Sequence, residues 1–209
     1  MPLFYQQDIN HDTRLAVWKI EEEESFFLEK ASLKREITHP HKRLQHLAGR
    51  YLLVYLFPDF PAELIEIADT RKPFLPDEQY HFSISHCGNF AAAIVSRTER
   101  VGIDVELLTH RVEKIKHKFL HPDELQMVDQ ATGDRIQLLT LLWSAKEAMF
   151  KWWGSGDVDF SEVLRILEMP VNREGKFSSK FNKANHNTLL TIHYKIFEDL
   201  NVAWTHTLL

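Results

Sequence analysis

The strongest constraint on the fold of this 209-residue chain is an order of periodicities that occurs twice. RLAVWKI (14–20) alternates as a strand does, and SFFLEKA (25–31) reads as a short helix. HKRLQHLAGRYLLVYLF (41–57) is a long helical pattern bounded by Pro40 and Pro58. Strand-like ELIEIADT (63–70) leads into the turn RKPF. HFSISHC and FAAAIVS follow, joined by Gly88-Asn89, a two-residue hairpin signal. The second half repeats the order. VGIDVEL (101–107) is a strand, and RVEKIKHKFL (111–120) and PDELQMVD (122–129) are short helices. RIQLLTLLWSAKEAMFKWW (135–153) is a long helix stopped by Gly154 and Gly156. VLRILEM, GKFSSKF, TLLTIHYKIF and VAWTHTL then read as strands. No sequence identity links the halves, so the repeat is architectural. The expectation is an α+β fold of two pseudo-symmetric α+β lobes, 1–100 and 101–209, with a site at the lobe junction.

Composition narrows the function. Five Trp and fourteen Phe can fill a substantial core. Cys87 is the only cysteine, which excludes an internal disulfide and a cysteine-rich zinc site and fits a reducing compartment. A formal charge of −5 argues against a general nucleic-acid binder. MPLFYQQDINHD lacks the basic-then-apolar order of a secretory signal, and YLLVYLF (51–57) is too short to span a bilayer. The chain therefore reads as a cytoplasmic protein with neither membrane nor nucleic acid as partner, and two lobes in one chain suggest a monomer.

Asp104 and Glu106 fall on one face of VGIDVEL, opposite Val101, Ile103, Val105 and Leu107. A D-x-E pair is most often a solvated strand face. Strands are depleted in Asp, however, and like charges on one face need a cation or basic groups to offset them. In WSAKEAMFK (143–151), Trp143, Glu147 and Lys151 recur at i, i+4 and i+8, along one helix face. A surface Glu–Lys pair would explain the spacing, but Leu138, Leu139, Leu141 and Leu142 precede it and Met149, Phe150, Trp152 and Trp153 surround its end. A helix apolar on most sides is largely buried, so Glu147 and Lys151 need partners, and a metal and a phosphate would serve. Ser85-His86 at the hairpin rim and Lys72-Pro73 on the preceding turn are ordinary turn chemistry or a phosphate cradle. No G-x-S-x-G elbow marks Ser85 as a nucleophile. His117 and His121 lie in a lysine-rich segment and read as surface residues. Arg111, Lys114, Lys116 and Lys118 form a basic strip beside Phe119, either a solvated helix face or a dock for an acidic partner.

Taken in order, HKRLQHLAGRYLL, KPF, FSISHC, VGIDVE and WSAKEAMFK resemble the motif series of the Sfp-type 4′-phosphopantetheinyl transferases, over residues 40 to 153. The last fifty residues match only in length and strand-like character. The resemblance implies that family's two-lobed α+β fold, with coenzyme A and Mg²⁺ (or Mn²⁺) in the cleft. The implied reaction moves phosphopantetheine from coenzyme A to a serine of an apo acyl or peptidyl carrier protein and releases adenosine 3′,5′-bisphosphate. By motif position Asp104, Glu106 and Glu147 would be metal ligands and Glu147 the base. Lys151 would neutralise the pyrophosphate. Lys72, Pro73, Ser85, His86 and Asp104 would contact coenzyme A, with Lys42 or Arg43 near its 3′-phosphate. The basic strip would dock the carrier. Two positions depart from the family pattern: Arg71 replaces the usual glycine before Lys-Pro, and Cys87 stands where a second serine is common. The alternatives are another Mg²⁺-dependent phosphoryl or nucleotidyl transferase, or a non-catalytic carrier-binding relative.

Overall fold

A computed structural model describes residues 2–34, 36–183 and 186–209. The chain divides into two compact units, residues 1–103 with 208–209, and residues 104–207. The mixed α+β class expected of the sequence holds.

In the first unit, β1 (Leu3–Asp8) and β2 (Thr13–Lys19) precede the single-turn α1 (Glu24–Leu28) and the long α2 (Pro40–Leu56). Two-residue strands β3 (Glu66–Ile67) and β4 (Pro73–Phe74) form a small hairpin. β5 (His81–Cys87) and β6 (Phe90–Ser96) follow, and β7 (Glu99–Leu107) begins in this unit and ends in the second. The main sheet runs β1-β2-β6-β5. Gly88-Asn89 sets the β5–β6 register by placing Cys87 opposite Phe90. α2 starts on Pro40, whose missing N–H costs nothing at a first helical position, and packs on β2, β5 and β6. Leu47, Leu52 and Leu53 on the helix and Ala91, Ala93 and Val95 on the sheet close this core.

Gly49 explains how closely α2 can lie on β5. A Cβ at this position would come within 2.6 Å of Ile84 Cγ2. Gly49→Ala should therefore lower stability. The overpacking cost of about 1–3 kcal/mol exceeds or matches the roughly 0.5–1 kcal/mol by which alanine favours a helix. A lowered urea midpoint is expected, and a wild-type midpoint would show that the sheet yields freely.

In the second unit, α3 (Arg111–Ile115) gives way to a 3₁₀ turn over Lys116–Lys118, so the helix expected over 111–120 breaks. The break turns Phe119 and Leu120 into the core, at 0% and 2% exposure. Next come α4 (Pro122–Gln130), α5 (Arg135–Trp153), β8 (Leu164–Ile166), β9 (Glu174–Lys183), β10 (His186–Ile196) and β11 (Leu200–Leu208). Their sheet runs β7-β11-β10-β9-β8. Among the described residues no helix is long and apolar enough to cross a membrane.

Candidate active site

The chemistry of the second unit is built on α5 and the end of β7. Asp134 caps α5 by accepting from the Ile136 and Gln137 N–H groups at 2.9 and 3.1 Å, and Gly154, at φ 77°, ends it. Between them, Leu139, Leu142, Ala145, Ala148, Met149 and Trp152 face the core. That burial fixes the helix about its axis and aims the remaining side at β7.

Asp104 is 3% exposed, so the polar face of VGIDVEL is not a wet one. Its Oδ1 accepts from Lys151 Nζ at 2.7 Å and its Oδ2 from Ser144 Oγ at 2.8 Å. Two residues along the strand, Glu106 Oε1 accepts from the Trp143 indole at 3.2 Å. Glu147 lies on α5 one turn from both Trp143 and Lys151. Burial and the Asp104 charge push its carboxyl up to about 7, with Glu106 adding to the shift and Lys151 opposing it. Three carboxyl groups and one ammonium leave an excess of negative charge. Glu147 can thus hold or release a proton near neutral pH.

Among the described residues, no three His, Cys, Asp or Glu side chains already close on a common point. Lys151 and Ser144 hold both Asp104 oxygens, and Trp143 holds Glu106. The donor set nonetheless suits a hard divalent cation, which takes carboxylate oxygens and would relieve the charge recorded in Glu147.

One buried cation escaped the sequence reading. Lys146, the neighbour of Glu147, is 0% exposed. Its ammonium donates to Glu124 Oε2 at 2.6 Å and to the carbonyls of Phe119 and Phe160 at 2.6 and 3.0 Å, which uses all three protons. Burial draws its pKa down to about 8, against the pull of Glu124. Glu124, also 0% exposed on its side chain, accepts as well from the His121 and Ile166 N–H groups. The pair ties α5 to α4 and β8 one residue from Glu147. The only hint in the sequence is the apolar company of Lys146 on its helix.

The same core corrects the expected docking strip. Phe119 packs edge-on against Trp143, with ring centroids 5.2 Å apart, and its carbonyl holds Lys146, so it offers no surface contact. Lys116 is half-buried and bonded to Glu113, which Arg135 also grips. Arg111, Lys114 and Lys118 remain exposed. His121 is a helix cap rather than a plain surface residue, its Nδ1 accepting from the Asp123 N–H at 3.2 Å.

The first unit contains a cavity of about 460 Å³. His46 and Arg50 line it from α2, Ile84 and His86 from β5, Arg71 and Pro73 from the β3–β4 hairpin, and Lys34 from the loop before α2. Leu33, Ile37 and Ile67 complete an apolar wall, and among the described residues no carboxylate lines the cavity. The His46 and His86 rings meet edge to face at 5.0 Å. Of the expected coenzyme contacts, Pro73 and His86 line this cavity, whereas Lys42, Arg43, Lys72 and Ser85 do not. Arg43 is bound to both Glu24 oxygens, at 2.8 and 2.9 Å, and to the Ile37 carbonyl, so it braces the wall from behind. Lys72 is half-buried, and burial followed by the Arg100 charge lowers its pKa to about 8. Ser85 is buried opposite Ala92. Arg50 and Lys34, which carry no motif signal of their own in the sequence, supply cations beside Arg71.

Arg71 has a left-handed backbone, φ 66°. Its N–H donates to the Ala68 carbonyl at 2.8 Å while the Ala68 N–H donates to the Lys72 carbonyl at 2.9 Å. That is a turn closed by a left-handed residue, the bulge position that glycine fills without strain. Holding arginine there costs about 1 kcal/mol.

A model of the 4′-phosphopantetheinyl transferase superfamily matches residues 100–205, just over half of the chain and including all the site residues of the second unit. The chain belongs to that superfamily. Enterobactin synthase component D of Salmonella typhi is 34% identical to it over 113 residues, 53% of this chain and 47% of that protein. The protein of that name from Escherichia coli strain K12 is 34% identical over 113 residues, 53% of this chain and 54% of its own. The 4′-phosphopantetheinyl transferase HetI of a Nostoc species is 28% identical over 136 residues, 59% of this chain and 57% of its own. The chain spans about half the length of the curated relatives it matches.

Proposed function

We propose that this chain transfers the 4′-phosphopantetheine group of coenzyme A to a serine hydroxyl of an apo acyl or peptidyl carrier protein. The observation that carries the reading is Glu147, a half-buried carboxyl on α5 whose pKa burial and the Asp104 charge raise to about 7, with Lys151 one turn along the helix and bonded to Asp104. Family membership and relatives named as phosphopantetheinyl transferases support it.

The chemistry needs a base, a neutraliser of phosphate charge and a grip on the nucleotide. Glu147 takes the proton from the carrier serine, whose oxygen attacks the pantetheine-bearing phosphorus of the pyrophosphate. The new Ser O–P bond forms as the P–O bond to the bridging oxygen breaks, and adenosine 3′,5′-bisphosphate leaves with that electron pair. Lys151 supplies positive charge to the departing phosphate, and Asp104 holds the lysine in place through its 2.7 Å bond. Mg²⁺ on Asp104, Glu106 and Glu147 would polarise the pyrophosphate oxygens when bound. The first unit's cavity, apolar on one wall and cationic on another, suits a purine nucleotide bearing phosphate. Arg111, Lys114 and Lys118 offer an acidic carrier a basic landing face.

Incubating the chain with coenzyme A, Mg²⁺ and a panel of apo carriers, then weighing each carrier, tests the reading. At least one carrier should gain the mass of phosphopantetheine. No gain on any carrier, with coenzyme A consumed in another transfer, would point to a different phosphoryl transferase. Carrier binding without transfer would point to a non-catalytic relative.

A further inference from the structure

The cavity of the first unit holds a cation where the turn would be easier to build without one. Arg71 occupies the left-handed position of the β3–β4 hairpin, and its side chain lines the cavity. Among the described residues its guanidinium makes no hydrogen bond or ion pair, so no internal contact compensates the strained backbone. Lys34 and Arg50 line the same cavity, and among the described residues no carboxylate does. A planar guanidinium beside two further cations matches a phosphate monoester, whose oxygens take paired N–H bonds.

We propose that Arg71 is a specificity residue of this chain: it reads the terminal phosphomonoester of the nucleotide and makes the chain favour the phosphorylated nucleotide over its dephosphorylated form. The proposal rests on the coenzyme A reading above and adds to it the residue that selects the 3′-phosphate. Neither the turn nor the cavity requires arginine, since glycine suits the backbone better. The arginine is accounted for by a ligand that uses its charge.

Calorimetric titration of the full chain with coenzyme A and with 3′-dephospho-coenzyme A tests this, alongside thermal melts of the unliganded protein. Wild type should prefer coenzyme A. Arg71→Gly and Arg71→Asn, both able to adopt a left-handed backbone without positive charge, should weaken coenzyme A binding by roughly tenfold or more, as loss of a charge-assisted pair does. Both should leave dephospho-coenzyme A binding unchanged and melt no lower than wild type. Arg71→Lys should keep part of the preference. If either neutral variant weakens both ligands equally, or neither, Arg71 does not read the phosphate and the proposal falls while the coenzyme A reading stands. If wild type binds neither ligand, both fall together.

Discussion

Glu147→Gln will lower transfer to an apo carrier by about 10²- to 10⁴-fold, the range a positioned base contributes. The substitution keeps the shape of the side chain and removes its capacity to accept a proton. It also removes a charge that Asp104 and Glu106 oppose, so the folded state should lose nothing and can gain. Rate and stability therefore move independently, which separates a catalytic loss from unfolding. The check is an initial-rate measurement beside a urea titration of the same sample. Near-normal turnover would remove Glu147 from the chemistry and leave the carboxylate cluster without a base.

Lys146→Met has the largest expected effect on folding. Methionine nearly fills the volume of the lysine stem but strands the Glu124 carboxylate, which is wholly enclosed. Breaking a buried ion pair from one side costs about 3–5 kcal/mol, a large part of the stability of a unit this size. The Phe119 and Phe160 carbonyls lose their donor at the same time. Adding Glu124→Gln to Lys146→Met should recover part of the loss, because the amide oxygen can still accept from a backbone N–H and no buried charge remains. Urea midpoints of the single and double variants measure this. A single variant within about 1 kcal/mol of wild type, the ordinary cost of a point substitution, would mean that the pair does not hold the helix.

Local signals account for what was legible. α5 spans the expected residues, 135–153, because both of its ends are written beside it in Asp134 and Gly154. The β5–β6 hairpin follows from Gly88-Asn89 for the same reason. β1 carries no such signal: LFYQQD alternates, but half of it is polar, and it is an edge strand whose identity depends on pairing with β2. A helix continued through 111–120 would carry Phe119 on the surface beside lysines, yet it is fully buried. The 3₁₀ turn that redirects it has no such local signature. Lys146 differs from a surface lysine only through Glu124, 22 residues away, and no periodicity reports that pairing. Motif order singles out Asp104, Glu106, Glu147 and Lys151, and the structure sets Lys151 against Asp104, on the two elements that also carry Glu147 and Glu106. Which cations line the first unit's cavity was not, since Arg43 and Arg50 sit two turns apart on one helix and only the packing of the loop before α2 assigns their roles.

The bond from Trp143 to Glu106 gives the chain an optical gauge of its own. The indole N–H rests on the carboxylate at 3.2 Å, and the ring lies nearly parallel to Phe160, 5.7 Å away, so the emitter stands in a fixed frame beside one charged oxygen. A change of field at that oxygen should shift its emission. Subtracting the spectrum of a Trp143→Phe variant isolates this ring from the other four tryptophans. The arrival of any cation or phosphate at Glu106 can then be timed in stopped flow, with no dye attached and before any bond is made or broken.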